Sequence, residues 1–173
     1  DTQEFELKPG QKKEISMVLK VPRGVTGGRY CVVIFDAHPA GIEKQEPHLA
    51  ISARTGTIIM ETIPRRPIRK GEITDVSVVK ADEAIDIVAH FRNDGNIHVQ
   101  TKPTCVIKNP DGRIVDRVKM DAGTGTVLPE GIRRIRGTWA NSRKMKPGSY
   151  VAEVGVDYRG GSRAKGTAEF SVD

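Results

Sequence analysis

Residues 84–96 read AIDIVAHFRNDGN. Ile85, Ile87, Ala89 and Phe91 alternate with Asp86, Val88, His90 and Arg92. A period of two places one set of side chains on a single face of a strand, so the pattern predicts a strand with one buried face. The run ends in Asn93-Asp94-Gly95-Asn96, residue types that accept turn and left-handed backbone angles. A half-buried strand running into an Asn-x-Gly-Asn corner is a common start to the core of a two-sheet sandwich.

The pattern extends outward from that strand. Residues 71–173 carry seven candidate strands, at about 72–80, 84–92, 98–108, 113–120, 132–139, 149–158 and 165–172. Asn109-Pro110-Asp111-Gly112 reads as a hairpin turn, and Lys146-Pro147-Gly148 turns the chain into Tyr150, Ala152, Val154, Val156 and Tyr158, which share a face. Ile135 and Trp139 face inward, and Arg134, Arg136 and Thr138 face outward. Trp139 is the natural plug of the core. Tyr150, just after the Pro-Gly turn, is placed as a tyrosine corner. Seven short strands with turns at this spacing predict a complete seven-stranded immunoglobulin-like β-sandwich over 71–173.

Residues 1–63 also read as strands. Phe5 and Leu7 alternate with charge, Lys8-Pro9-Gly10-Gln11 is a turn, and Ile15, Met17, Leu19 and Val21 repeat with a period of two. Arg29 to Phe35 is a nearly unbroken apolar strand, the pattern of burial on both faces. Residues 37–49 form a polar loop, and Ile51 to Ile63 a last hairpin-like piece. Residues 64–70, PRRPIRK, form a basic, proline-stiffened linker. Arg65, Arg66, Arg69 and Lys70 could contact an anion or only keep the junction hydrated. The two halves echo one another. Leu7-Lys8-Pro9-Gly10 and Gly28-Arg29-Tyr30 in the first match Leu128-Pro129-Glu130-Gly131 and Gly148-Ser149-Tyr150 in the second. By that register, residues 1–63 are only the C-terminal strands of a sandwich. The expected fold is therefore all-β, with tandem immunoglobulin-like sandwiches and the first incomplete at its N-terminus. Three or four strands leave apolar edges open, so a protein partner or a preceding segment is expected to complete the first module.

Composition bounds the function. Apolar residues make up 37% and charged residues 29%, outside the range of both disordered chains and membrane-spanning ones. No apolar run approaches the roughly 18–20 residues that span a bilayer. The net charge of +6 favours anionic partners, an anionic cell-wall polymer among them, although a modest excess of Lys and Arg also serves solubility alone. Cys31 and Cys105 lie in apolar strands and read as buried free thiols.

The first half has a further likeness. Phe5, Leu7, Pro9, Gly10, Lys13, Ile15, Met17, Leu19, Val21 and Pro22, continuing to Ile34 and to Ile51–Met60, resemble the C-terminal half of the first immunoglobulin-like domain of PapD-like bacterial proteins. That group includes the periplasmic pilus chaperones and the surface proteins that interact with WxL cell-wall proteins. The likeness covers about 60 residues of strand pattern and turns. It implies an extracytoplasmic, non-enzymatic role in binding or assembling surface components, and it carries over no functional residue. The strand edges bearing Phe5, Leu7, Ile15 and Met17 become the candidate interaction elements.

Catalytic patterns are missing from the sequence. His38, His48, His90 and His98 form no H-x-x-x-H or H-x-H set, and there is no Cys-x-x-Cys. His90 and His98, with Asp94 between them, read better as surface residues at a strand end than as metal ligands. Gly123-Thr124-Gly125-Thr126 lacks the ending and the helix of a phosphate loop. Neither cofactor nor metal is expected, and the chain is not read as an enzyme. Arg133, Arg134 and Arg136 in the fifth strand, with Arg143, Lys144 and Lys146 in the next loop, are the candidate anion-binding set; the plainer reading is a solvated basic surface. Aromatics are only 5% and fall mostly on core positions, which disfavours nucleic acid. The expected function is a binding or assembly module of a bacterial surface or periplasmic protein, working through sheet edges and loops. Its rivals are an accessory module of a larger secreted enzyme and a polyanion- or glycan-binding domain.

Overall fold

The computed structural model describes residues 4–39, 51–80, 84–140, 145–158 and 162–172. Among them there are strands and turns but no helix. The chain divides into two compact units, residues 1–25 with 30–61, and residues 26–29 with 62–173.

In the first unit, β1 (Gly27–Ala37) and β2 (Ala53–Ile63) form a two-stranded sheet. Both strands begin or end in the second unit. Asp36 and Arg54 hold the ribbon together across its strands through a charged pair at 2.5 Å. Residues 4–26 contain the predicted turn, with the amide of Gln11 on the carbonyl of Lys8 at 2.9 Å and Gly10 at φ 77°. They contain no strand, so Ile15–Val21, despite its alternation, is unpaired. Period two specifies which side chains would share a face. It does not supply the neighbouring backbone that turns an extended segment into a ladder.

The second unit holds two four-stranded sheets. The first has the order β3 (Gly71–Lys80), β4 (Ile85–Asn93), β10 (Ile132–Trp139), β8 (Met120–Asp121). The second runs β12 (Arg163–Val172), β11 (Gly148–Asp157), β6 (Lys102–Lys108), β7 (Ile114–Val118), and the short β5 (Val99–Gln100) and β9 (Thr126–Val127) pair separately. The ladders in this unit are antiparallel. Inner faces of the two sheets fill one core. Ile85, Ile87, Ala89, Phe91, Ile135 and Trp139 come from one, and Cys105, Ile107, Ala152, Val154 and Val156 from the other. Where β12 closes over β3, Gly166 leaves no room for a side chain, since a Cβ would come within 2.7 Å of Ile73 and Val76.

Two predicted strands divide. The span 98–108 breaks at Thr101, whose amide and hydroxyl both turn to the carbonyl of Gly125, at 2.8 and 2.9 Å. The span 113–120 breaks at Lys119, because β7 pairs with β6 in one sheet and β8 with β10 in the other. Alternation runs through both breaks undisturbed, which hides the change of sheet. The turn at 109–112 closes with the amide of Gly112 on the carbonyl of Asn109 at 2.9 Å, and Gly112 takes the left-handed φ of 76°.

Trp139 is buried and donates its indole N–H to Asp116 Oδ2 at 2.7 Å. Tyr150 and Phe170 pack around it edge-on, at ring centroid distances of 6.1 and 5.9 Å. The Tyr150 hydroxyl donates to the carbonyl of Lys146 at 2.8 Å, four residues upstream. The ring thereby packs in the core while its polar tip fastens the turn that precedes β11.

Candidate functional site

Strand β10 alternates, and the alternation separates the candidate arginines. Ile135, Gly137 and Trp139 face the core, so Arg133 lies on their side and Arg134 and Arg136 on the other. Arg133 sits at the strand's start and donates to the carbonyl of Thr126 at 2.5 Å. Its charge serves the loop that leads into β10. Lys146 is exposed and contributes its carbonyl to Tyr150. Arg143 and Lys144 lie outside the described residues. The structure thus brings Arg134 and Arg136 together on one face, with Arg133 apart from them.

That face is a cross-strand ladder of charges. Glu72, Arg92 and Ile132 form one row across β3, β4 and β10; Asp75, His90 and Arg134 form the next; Ser77, Val88 and Arg136 follow, with Asp121 of β8 beyond. Arg92 bonds Glu72 at 2.5 Å and Asp94 at 2.6 Å. His90 Nδ1 lies 3.6 Å from Asp75. Asp86 accepts from the Thr138 hydroxyl at 2.7 Å and pairs with Arg136. Those two contacts, with Arg134 farther off, hold the Asp86 carboxyl below its ordinary pKa against the opposing effect of burial. Arg136 is therefore already neutralised. Among the described residues Arg134 is the arginine of this face that has no bonded carboxylate.

The opposite outer face behaves similarly. Lys108 bonds Glu153 at 2.8 Å and, with weaker help from Lys165 and Arg163, lowers the Glu153 pKa. Arg163 lies across the sheet over Gly155 and reaches the Thr104 hydroxyl at 3.0 Å. Beneath this face, burial pushes the Cys105 thiol up to about 12, with Glu153 adding to the effect. Cys31, by contrast, is exposed, which corrects the expectation that both thiols are buried; neither is in a disulfide.

The candidate edge residues Phe5, Leu7, Ile15 and Met17 fall in the strandless segment, and Lys13 caps the Phe5 ring at 4.2 Å from its centroid. Their strand edges are thus absent as edges; what remains exposed is the side chains, Ile15 being half-buried. In β1 and β2 the exposure is larger. Val32 and Ile34 are 54% and 56% exposed on one face of β1, Phe35 is exposed on the other, and Ile58 of β2 is 66% exposed. No group of three His, Cys, Asp or Glu that could hold a metal occurs among the described residues. Among the described residues no helix is long and apolar enough to cross a membrane.

The most constrained polar cluster is the Asn93–Asn96 corner. Asn93 is fully buried. Its Nδ2 donates to the carbonyls of Ile97 and Val127, each at 2.9 Å, and its Oδ1 accepts from the Gly95 amide at 2.9 Å. Its own backbone pairs with Gly131 and Glu130, at 3.0 and 2.8 Å. Asn96 captures the linker. The Ile68 amide donates to Asn96 Oδ1 at 2.6 Å, Asn96 Nδ2 donates to the Arg66 carbonyl at 3.1 Å, and the Asn96 amide donates to the Ile68 carbonyl at 3.0 Å. The Asp94 amide adds a bond to Lys70 at 2.8 Å, and the Asn96 carbonyl accepts from Gly28 at 2.7 Å. Residues 66–70, part of the stretch 64–70 expected as a stiff and exposed linker, are fastened through their backbone to the corner while their side chains stay exposed. Charge and proline content carry no sign of this; the one signal was the Asn-x-Gly-Asn run itself. No protein-family model matches the chain, and no curated protein matches it either.

Proposed function

We propose that the chain is a non-enzymatic binding or assembly module of a bacterial cell-surface or periplasmic protein, acting through sheet edges and exposed strands. The observation that carries this reading is the β1–β2 ribbon, which presents Val32, Ile34 and Ile58 to solvent and, among the described residues, has two strands. A two-stranded sheet is marginal alone, and its unpaired edges are templates for another strand. The strand orders of the second unit and the Tyr150–Lys146 bond support an immunoglobulin-like sandwich there. The PapD-like likeness of residues 5–60 supports reading the ribbon as the remainder of a second such module, completed from outside.

Intact mass with light scattering tests the proposal. A dimer or a co-purifying polypeptide is expected, and Ile34→Asp with Ile58→Asp should abolish it while leaving the second unit folded. A wild-type monomer with no bound polypeptide, at concentrations up to the solubility limit, refutes it.

A further inference from the structure

The fastened linker arranges charge. Arg65, Arg66, Arg69 and Lys70 lie on or beside a backbone held by four bonds to Asp94 and Asn96, and Arg29 adjoins Gly28, which bonds the same Asn96. All five side chains are exposed. Among the described residues none of the five is bonded to a carboxylate; Glu72 and Asp94 beside them are both engaged by Arg92, and Glu130, whose amide bonds the Asn93 carbonyl, is the exposed acid at this corner. Arg66 holds a left-handed φ of 54°, a conformation that costs a non-glycine residue stability and that its carbonyl bond to Asn96 maintains.

A second observation sits at the same end of the sandwich. Ile68, between these cations, is 54% exposed. Leu128, next to the Val127 carbonyl that bonds Asn93, is 44% exposed, and Ile132, opposite Arg92, is 62% exposed. A soluble polyanion is recognised by cations alone and gains nothing from aliphatic side chains. A bilayer interface takes both, with cations at the phosphates and aliphatic groups at the acyl boundary.

We propose that this end of the second unit, with Arg29, Arg65, Arg66, Arg69 and Lys70 around Ile68, docks on an anionic phospholipid surface. The linker then seats against the headgroups as a fixed strip, so little ordering remains to be done on binding. Each cation near such a surface contributes about a fivefold gain in partition at low salt, so removing three lowers it about a hundredfold.

Flotation of the full chain with vesicles tests this. The chain should float with vesicles of phosphatidylglycerol and phosphatidylcholine at low salt and stay behind with pure phosphatidylcholine. The variant R65Q/R69Q/K70Q should lose the binding about a hundredfold. Ile68→Ser should lower flotation several-fold while leaving retention on a dextran sulfate column unchanged, which separates insertion from charge. Flotation of the triple variant equal to wild type overturns the proposal. So does retention on dextran sulfate without flotation, which assigns the cations to a soluble polyanion, and so does an Ile68→Ser variant that floats as well as wild type.

Discussion

Asn93 shows what a single buried polar side chain can hold. It satisfies the amide of Gly95 and the carbonyl of Ile97 beside it in the chain, and the carbonyl of Val127 in β9. Asn93→Ala leaves those groups unpaired in a buried site, and each such group costs about 1–3 kcal/mol. The expected loss is about 3 kcal/mol or more, measured by denaturant unfolding of the second unit. The residue was visible in the sequence as a turn former. Its role as a hub was not, because the partners Val127, Glu130 and Gly131 lie more than thirty positions away. The two thiols make a contrasting pair. Cys31 should react with a thiol reagent in the folded chain at neutral pH, whereas Cys105, buried and with its pKa pushed up to about 12, should react only on unfolding. Mass spectrometry after brief alkylation distinguishes the two, and equal labelling would contradict the burial of Cys105. Asp86 gives the acid side of the stability curve. Its folded pKa lies below 3.8, so its contribution is complete above about pH 5 and disappears as the pH falls through the folded value. Asp86→Asn should flatten the loss of stability below pH 4 in an acid titration, relative to wild type.

At the scale of elements, alternation located strands well wherever a neighbouring strand was available. The stretch 84–92 became β4 at Ile85–Asn93, and 132–139 became β10 with Ile135 and Trp139 inward. The same alternation at Ile15–Val21 gave no strand, since pairing is a property of two segments and the pattern describes one. The candidate anion set dissolved for a related reason. Three arginines within four positions of a strand cannot share a face, and the carboxylate that neutralises Arg136 comes from β4, fifty residues earlier in sequence. The linker is the element most altered by tertiary contact. Gly95 permits its approach, because a Cβ there would meet the Ile68 carbonyl at 2.4 Å. Gly95→Ala should push the linker off the corner and speed tryptic cleavage after Arg69 and Lys70, while the core strands stay protected. Unchanged cleavage rates would mean that the four bonds from Asp94 and Asn96 to the linker hold against the intrusion.

Across the whole molecule, two units of unequal substance share one chain. The second has sheets on both sides of its core, and its central strands β4, β10, β6 and β11 should retain amide protons longest in hydrogen exchange. Residues 12–26 have no backbone ladder, so their amides in the dilute chain should exchange within the dead time. Protection appearing at 15–21 on adding a partner would mean that this segment pairs with a strand of that partner. One structural feature already divides the two units for an observer. Trp139 is the only tryptophan, it lies in the second unit, and its ring is enclosed by Tyr150 and Phe170 with a carboxylate on its N–H. The protein therefore carries an intrinsic optical label on one unit alone. Its emission reports the opening of the sandwich and is blind to the ribbon, so a transition seen by circular dichroism but not by fluorescence belongs to the first unit without further labelling.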